Sequence, residues 1–169
     1  MKYYTLTIAI LFTTLCFGQK LEKVMISDSD PYNFYVNDGD STEVFYYKMV
    51  PKSKPVGVLT IFPSGGEKIE DLLKQINLHQ VAYNNNFLVI IPSYNWGTFQ
   101  KTPDIEFIDR IFKQLVLEHK VSKDNFVLCG LSNGGMISLT YGITAVRDSS
   151  TYITPNGIIG IDPPLDYAR

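Results

Sequence analysis

Histidine and cysteine are scarce in this sequence, with two of each among 169 residues. Neither type recurs at the spacing of a CxxC or HExxH motif, so the common zinc-binding patterns are excluded, and no other motif implies a cofactor. Lysine and arginine number 15 against 17 acidic residues and are scattered along the chain, which gives a formal charge of −2. Without a basic patch to neutralise phosphates, nucleic acid is excluded as a partner.

Long apolar runs are missing as well, except at the amino terminus. There Met1-Lys2 precedes a mostly apolar stretch over residues 3–15, and Cys16-Phe17-Gly18 places small residues where a signal peptidase cleaves. A buried first strand or a membrane anchor is the alternative, but a spanning helix needs about 20 apolar residues. We therefore predict a signal peptide over residues 1–18 and a domain over residues 19–169, in a secreted or periplasmic protein with no stable membrane anchor.

Strand and helix patterns alternate along most of the chain. Residues 33–36 and 43–50 are rich in aromatic and β-branched side chains and flank the turn residues 37–40, a pattern that predicts a β-hairpin. Beyond it, apolar runs predict buried strands, and apolar residues at helical spacing predict helices between them. The strands are expected at 56–62, 87–91, 126–129 and 158–161, and the helices from Lys68 to the asparagines at 84–86, from Thr102, and from Met136. This alternation predicts an α/β fold with a mostly parallel sheet, helices on both faces and antiparallel strands at one side.

The segment Gly130–Gly135 reads Gly-Leu-Ser-Asn-Gly-Gly, with glycines two residues before and two residues after Ser132. Between a buried strand and a helix this is the arrangement of a nucleophile elbow, a tight turn that lifts the serine hydroxyl above the carboxyl end of the sheet. Side chains at Gly130 and Gly134 would collide within such a turn. We therefore predict Ser132 as a catalytic nucleophile, with an ordinary glycine-rich turn as the alternative.

A nucleophilic serine needs hydrogen-bond donors for the oxyanion that forms when it attacks a carbonyl, and two backbone N–H groups usually supply them. The N–H of Asn133 is one candidate. Gly65 or Gly66, soon after the predicted strand that ends at Phe62, is the other, because glycine lets a backbone approach a substrate closely. The alternative is a simple strand-to-helix turn in which Ser64 caps the helix.

Residues 56–169 resemble the amino-terminal part of the α/β-hydrolase superfamily. The sequence at 130–136, preceded by Val-Ser-Lys-Asp at 121–124, is similar to the elbow of secreted polyhydroxyalkanoate-depolymerase-like and feruloyl-type esterases. The loop at 62–66 departs from this resemblance, because it reads Phe-Pro-Ser-Gly-Gly where many esterases have His-Gly-Gly. The resemblance implies a carboxylic ester hydrolase in which Ser132 forms an acyl-enzyme with a small-molecule ester.

The resemblance also implies a triad in the order serine, acid, histidine, but no histidine follows Ser132. His79 and His119 are expected to lie too far from the serine to replace it. We therefore predict a truncated hydrolase domain whose carboxyl-terminal part, with the base, is missing. Asp162, at the end of the last strand, is a candidate acid or a turn residue before two prolines. The competing hypothesis is a noncatalytic binding module that keeps the hydrolase fold.

Three aromatic residues after the strand at 87–91 are candidates either for lining a substrate pocket or for covering the sheet edge, namely Tyr94, Trp96 and Phe99. Glu67 is predicted to compensate the dipole at the start of a helix, because that is the commoner role of a carboxylate there. Cys129 is predicted to be a buried strand residue.

Overall fold

The computed structural model describes residues 21–26, 45–65, 67–93 and 102–163. Within them the chain forms six strands, β1 (Glu22–Met25), β2 (Phe45–Met49), β3 (Gly57–Phe62), β4 (Phe87–Pro92), β5 (Phe126–Leu131) and β6 (Gly157–Ile161). Four helices accompany them, α1 (Ile69–Gln75), α2 (Leu78–Asn84), α3 (Thr102–His119) and α4 (Asn133–Arg147). The predicted α/β class and its alternation of strands and helices are confirmed.

The six strands form one sheet in the order β1-β2-β4-β3-β5-β6. β1 and β2 pair antiparallel, and so do β2 and β4, whereas β4, β3, β5 and β6 run parallel to one another. The carboxyl ends of these four strands share one edge, where Gly130 is the register partner of both Phe62 and Gly160. The segments that follow β3, β5 and β6 therefore meet at one place on that edge.

Helices cover both faces of the sheet. On one face α3 and α4 pack against strand side chains such as Val58 and Leu128, and on the other α1 and α2 pack against side chains such as Ile61 and Val89. All four strand residues are fully buried. Cys129 belongs to the second cluster and is buried as predicted, and this burial raises the pKa of its thiol. The central strands are thus enclosed on both faces.

The single helix predicted after Lys68 is wrong, because the segment forms two helices, α1 and α2. Between them Ile76 adopts an extended conformation, with φ −126° and ψ 134°. The carbonyl oxygen of Asn77 then accepts hydrogen bonds from the N–H groups of Gln80 and Val81 and begins the second helix. Asn77 thus directly precedes α2, and its side chain makes no capping hydrogen bond there.

The antiparallel strands at one side of the sheet are confirmed, although the first of them was not predicted. β2 lies within the strand expected at 43–50 and pairs with β1 at Glu22–Met25. The other predicted hairpin strand, at 33–36, and its turn at 37–40 lie outside the described residues, as does the signal peptide predicted over residues 1–18. In the described part of the chain, no helix is long and apolar enough to cross a membrane.

Candidate active site

Ser132 stands alone between β5 and α4, in the strand–turn–helix context that its motif requires. Its backbone adopts φ 49° and ψ −116°, a conformation that L-residues rarely occupy and that typically costs about 1–3 kcal/mol. A Cβ atom on Gly130 would lie within 3.0 Å of the backbone of Gly134, and one on Gly134 would lie within 3.0 Å of the carbonyl oxygen of Phe62. Both glycines are therefore required by backbone contacts, which confirms the steric reason for singling them out.

Hydrogen bonds hold the elbow from two directions. The N–H of Ser132 donates to the carbonyl oxygen of Ile161 in β6 at 2.8 Å, and the carbonyl oxygen of Ser132 accepts the N–H of Met136 at 3.2 Å. The helix begins at Asn133, three residues earlier than predicted, because the tight turn leads straight into it. The Ser132 side chain makes no capping hydrogen bond to the described backbone of α4. Its hydroxyl is therefore not used to stabilise the helix.

The loop after β3 lies against the first residue of α4. A Cβ atom on Gly65 would overlap the side-chain amide nitrogen of Asn133, so the two residues are in close contact. The N–H of Asn133 has no carbonyl one turn earlier in its helix, because it belongs to the first turn. The structure thus brings Gly65, Asn133 and Ser132 together, while Gly66 lies outside the described residues.

A cavity of about 410 Å³ opens beside the elbow. Ser132 and Gly65 line it together with Asp162, which follows β6 at the same edge of the sheet. Asp162 is exposed and has φ 49°, a left-handed conformation that suits a turn residue. This carboxylate therefore shares a cavity with the serine and also fits its alternative role in a turn. The other lining residues are Ser64, Glu67, Gln75, Leu131 and Ile161.

Glu67 and Gln75 are two polar lining residues that the sequence analysis did not connect with the site. The Glu67 carboxylate accepts the N–H of Ser64 at 3.0 Å and the side-chain N–H of Gln75 at 2.7 Å. The role predicted for Glu67, compensation of the dipole at the start of a helix, does not include these hydrogen bonds. Glu67 precedes α1, so helical spacing gives no signal in the sequence for this contact.

Among the described residues that line the cavity, none is a histidine. His119 ends α3, which leads into the amino end of β5, whereas Ser132 follows the carboxyl end of that strand. His79 lies in α2, and its partial burial lowers the pKa of its imidazole. No three metal-ligating side chains gather in the part of the chain that the structure describes. The candidate substrate-lining aromatics lie outside that part, namely Tyr94, Trp96 and Phe99.

No protein-family model and no curated protein sequence matches this chain. Solved structures do resemble it. An acetyl xylan esterase from Aspergillus awamori has a TM-score of 0.59 and 14% identity, with 82% of this chain and 52% of that chain covered. A bacterial heroin esterase has a TM-score of 0.56 and 19% identity, with 96% and 50% covered. A substrate-bound, fluorophosphonate-binding serine hydrolase from Staphylococcus aureus has a TM-score of 0.56 and 12% identity, with 75% and 53% covered.

These similarities, together with the strand order, define the class of fold. The chain has the α/β-hydrolase fold, which confirms the fold class predicted from the sequence. It spans about half the length of these three solved structures. Because the identities are only 12–19%, activity and substrate have to be inferred from the site itself.

Proposed function

We propose that the protein is an exported serine hydrolase of the esterase type, with Ser132 as its nucleophile. The observation that carries this proposal is the place of Ser132, at φ 49° between β5 and α4 and on the rim of a cavity of about 410 Å³. A strained turn of this kind serves to expose a side chain at the edge of the sheet. The esterases among the similar structures support an ester as the substrate class.

In the proposed reaction, the Ser132 hydroxyl oxygen attacks the carbonyl carbon of a small-molecule ester while a histidine takes the hydroxyl proton. The backbone N–H groups of Asn133 and of Gly65 or Gly66 hold the oxyanion of the tetrahedral intermediate. The intermediate collapses to an acyl-enzyme, and the alcohol leaves with the proton from the histidine. Water then hydrolyses the acyl-enzyme and regenerates the serine.

The histidine base is proposed to lie outside these 169 residues. Neither His79 nor His119 lines the cavity, and the chain spans about half the length of the similar esterases. Asp162 is proposed as the acid that orients this histidine, because it lines the cavity together with Ser132. The 169 residues alone are then expected to hydrolyse esters about 10³- to 10⁶-fold more slowly than the whole enzyme, since the members of a triad act as a unit.

Export and the substrate contacts are proposed from the sequence. Residues 1–18 have the composition of a signal peptide, so amino-terminal sequencing of the secreted protein should find Gln19 first. An intact Met1 in the secreted fraction would contradict this proposal. The aromatic residues that follow β4 are proposed to pack against the substrate, namely Tyr94, Trp96 and Phe99.

A fluorophosphonate probe tests the nucleophile, because it bonds covalently to an activated serine. In the full-length gene product, Ser132→Ala should abolish labelling and lower ester hydrolysis by about 10³- to 10⁶-fold. Ser138→Ala is the matched control and should keep its labelling. Ser138 lies in α4, the helix that follows Ser132, but is buried, with its hydroxyl donating to the carbonyl oxygen of Gly134 at 3.0 Å. Unchanged labelling of Ser132→Ala would refute the assignment.

A noncatalytic binding module is the second candidate, favoured by the lack of a histidine among the described cavity residues. The coding DNA beyond Arg169 distinguishes the two candidates. An in-frame continuation with a late histidine supports the enzyme, whereas a stop codon directly after Arg169 supports the binding module. A full-length protein that the probe never labels would also favour the binding module.

A further inference from the structure

Glu67 is the centre of a small hydrogen-bonded unit in the loop after β3. Its Oε2 atom accepts the N–H of Ser64 at 3.0 Å, and its own N–H donates to the carbonyl oxygen of Ser64 at 3.1 Å. Its Oε1 atom accepts the side-chain N–H of Gln75, in the last turn of α1, at 2.7 Å. The backbone of Ser64 is thus bonded to Glu67 at both its N–H and its carbonyl, and Glu67 is bonded in turn to a helix.

This unit fixes the residue beside it. Gly65 follows Ser64 directly and approaches the side chain of Asn133 so closely that a Cβ atom would overlap it. A catalytic donor has to be held within about 0.5 Å of its productive position. A Ser-Gly-Gly loop has little rigidity of its own, because glycine adopts many backbone conformations. The loop therefore needs a constraint from outside its own backbone.

We infer that Glu67 is a positioning residue, which holds the backbone of Ser64 so that the N–H of the next residue, Gly65, can face the oxyanion, an inference that rests on the proposed function. Hydrogen bonds to an ionised acceptor are shorter and stronger than those between neutral groups, which suits a carboxylate for this role. Glu67 acts through the loop and takes no proton in the reaction.

Two substitutions at Glu67 test whether the hydrogen bonds of its side chain or its negative charge hold the loop. Glu67→Ala removes both acceptor atoms. Glu67→Gln keeps an acceptor oxygen for Ser64 and still bonds Gln75, whose amide offers either a donor or an acceptor. Glu70→Ala is the matched control, because Glu70 accepts the hydroxyl of Tyr47 at 3.2 Å and does not line the cavity.

Amide hydrogen exchange measures the loop directly, whatever the activity of the protein. We expect exchange at the Ser64 amide to be about tenfold faster in Glu67→Ala and within about threefold of the unaltered protein in Glu67→Gln and Glu70→Ala. In ester hydrolysis by the full-length gene product, Glu67→Ala should lower kcat by about 10- to 100-fold with KM within about threefold, because the donors act on the transition state. Glu67→Gln should recover most of this loss, and Glu70→Ala should show none.

Equal losses of kcat in Glu67→Gln and Glu67→Ala would overturn the inference, because the charge or a proton of Glu67 would then be what matters. Unchanged exchange at Ser64 in Glu67→Ala would overturn it as well. If Ser132→Ala keeps its rate, the proposed function fails, while the exchange measurement still decides whether Glu67 holds the loop. If Glu67→Ala does not fold, Gln75→Ala replaces it. That variant removes one bond and should shift exchange and kcat in the same direction by a smaller factor, and no shift would overturn the inference.

Discussion

Strands β3 and β6 have equally apolar sequences, Gly-Val-Leu-Thr-Ile-Phe and Gly-Ile-Ile-Gly-Ile, yet they differ in burial. Every residue of β3 is buried, whereas Ile158, Ile159 and Ile161 of β6 are 36–45% exposed. β3 lies between two strands and has helices on both faces, while β6 pairs with β5 alone in the part of the chain that the structure describes. An apolar sequence therefore predicts a strand, but the neighbouring elements decide whether that strand is covered.

The elbow joins these two regions. On the buried side, Gly134 packs against the carbonyl of Phe62 at the end of β3. On the exposed side, the N–H of Ser132 donates to Ile161 of β6, and the candidate acid Asp162 follows directly. The conformation of Ser132, the proposed nucleophile, thus depends on the buried centre of the sheet, and the exposed strand supplies one hydrogen bond and the candidate acid.

β6 is tied to the core through the segment that precedes it. Asp109 of α3 is buried and accepts the hydroxyl of Tyr141 at 2.7 Å and the N–H of Ile153 at 2.9 Å. An ion pair with Lys113 at 2.6 Å compensates the charge of this carboxylate. Burial, together with the hydrogen bond to Asp109, raises the pKa of the Tyr141 hydroxyl. The strand is therefore anchored at its start by buried polar contacts even though its side chains are exposed.

The largest difference is expected between Gly130 and Gly160, which are register partners in β5 and β6. Gly130→Ala places a Cβ atom within 3.0 Å of backbone that cannot rotate away, so the free energy of unfolding should fall by more than about 4 kcal/mol. In Gly160→Ala the Cβ atom is 3.5 Å from the side chain of Pro163, and we expect a change within about 1 kcal/mol. Urea unfolding measures both variants. Equal losses would show that β6 is packed as tightly as β5.

A smaller difference is expected between Ile61 and Ile159, which flank Cys129 in the two neighbouring strands. Ile61 is fully buried, whereas Ile159 is 45% exposed. Ile61→Ala should lower the free energy of unfolding by about 2–5 kcal/mol, and Ile159→Ala by about 1 kcal/mol, because less apolar surface and no closed cavity are involved. The same urea measurement applies. A loss at Ile159 close to that at Ile61 would show that another surface covers β6 in solution.

Features that depend on residues close together in the chain could be predicted from the sequence. The elbow follows in part from steric limits within Gly130–Gly135, where a side chain on Gly130 would meet the backbone of Gly134, although Gly134 itself is required by the carbonyl of Phe62 in β3. The parallel strands follow from apolar runs separated by helical patterns, and the burial of Cys129 follows from its place in such a run. Each of these inferences starts from a pattern of residues close together in the sequence.

Features that depend on contacts between distant segments could not be predicted. β1 has four residues, two of them charged, and it becomes a strand by pairing with β2 about twenty residues later. The bond between Glu67 and Gln75 needs the exact entry angle of α1. The break between α1 and α2 could not be predicted, because the apolar spacing continues on both sides of Asn77. The exposure of Ile159 depends on which elements cover β6, and the sequence of β6 does not predict those elements.

The exposed surface around β6 should affect self-association of the chain more than its free energy of unfolding. An edge strand presents N–H and C=O groups that can pair with another chain, and its exposed isoleucines add apolar area to that edge. An apolar groove of about 280 Å³ lies beside it, lined among others by Val81 of α2 and by Ile159. We expect residues 19–169, expressed alone, to self-associate through this surface.

Ile159→Lys should weaken this association at the smallest cost in stability, within about 1 kcal/mol, because a charge at a half-exposed edge position stays hydrated and repels a second copy. Val146→Lys is the matched control, since Val146 is 67% exposed on α4 rather than on the sheet, and it should leave association unchanged. Light scattering over a dilution series, alongside calorimetry, measures both variants. A monodisperse monomer with a sharp thermal transition in the unaltered chain would contradict the prediction, because it would mean that β6 is protected within these residues.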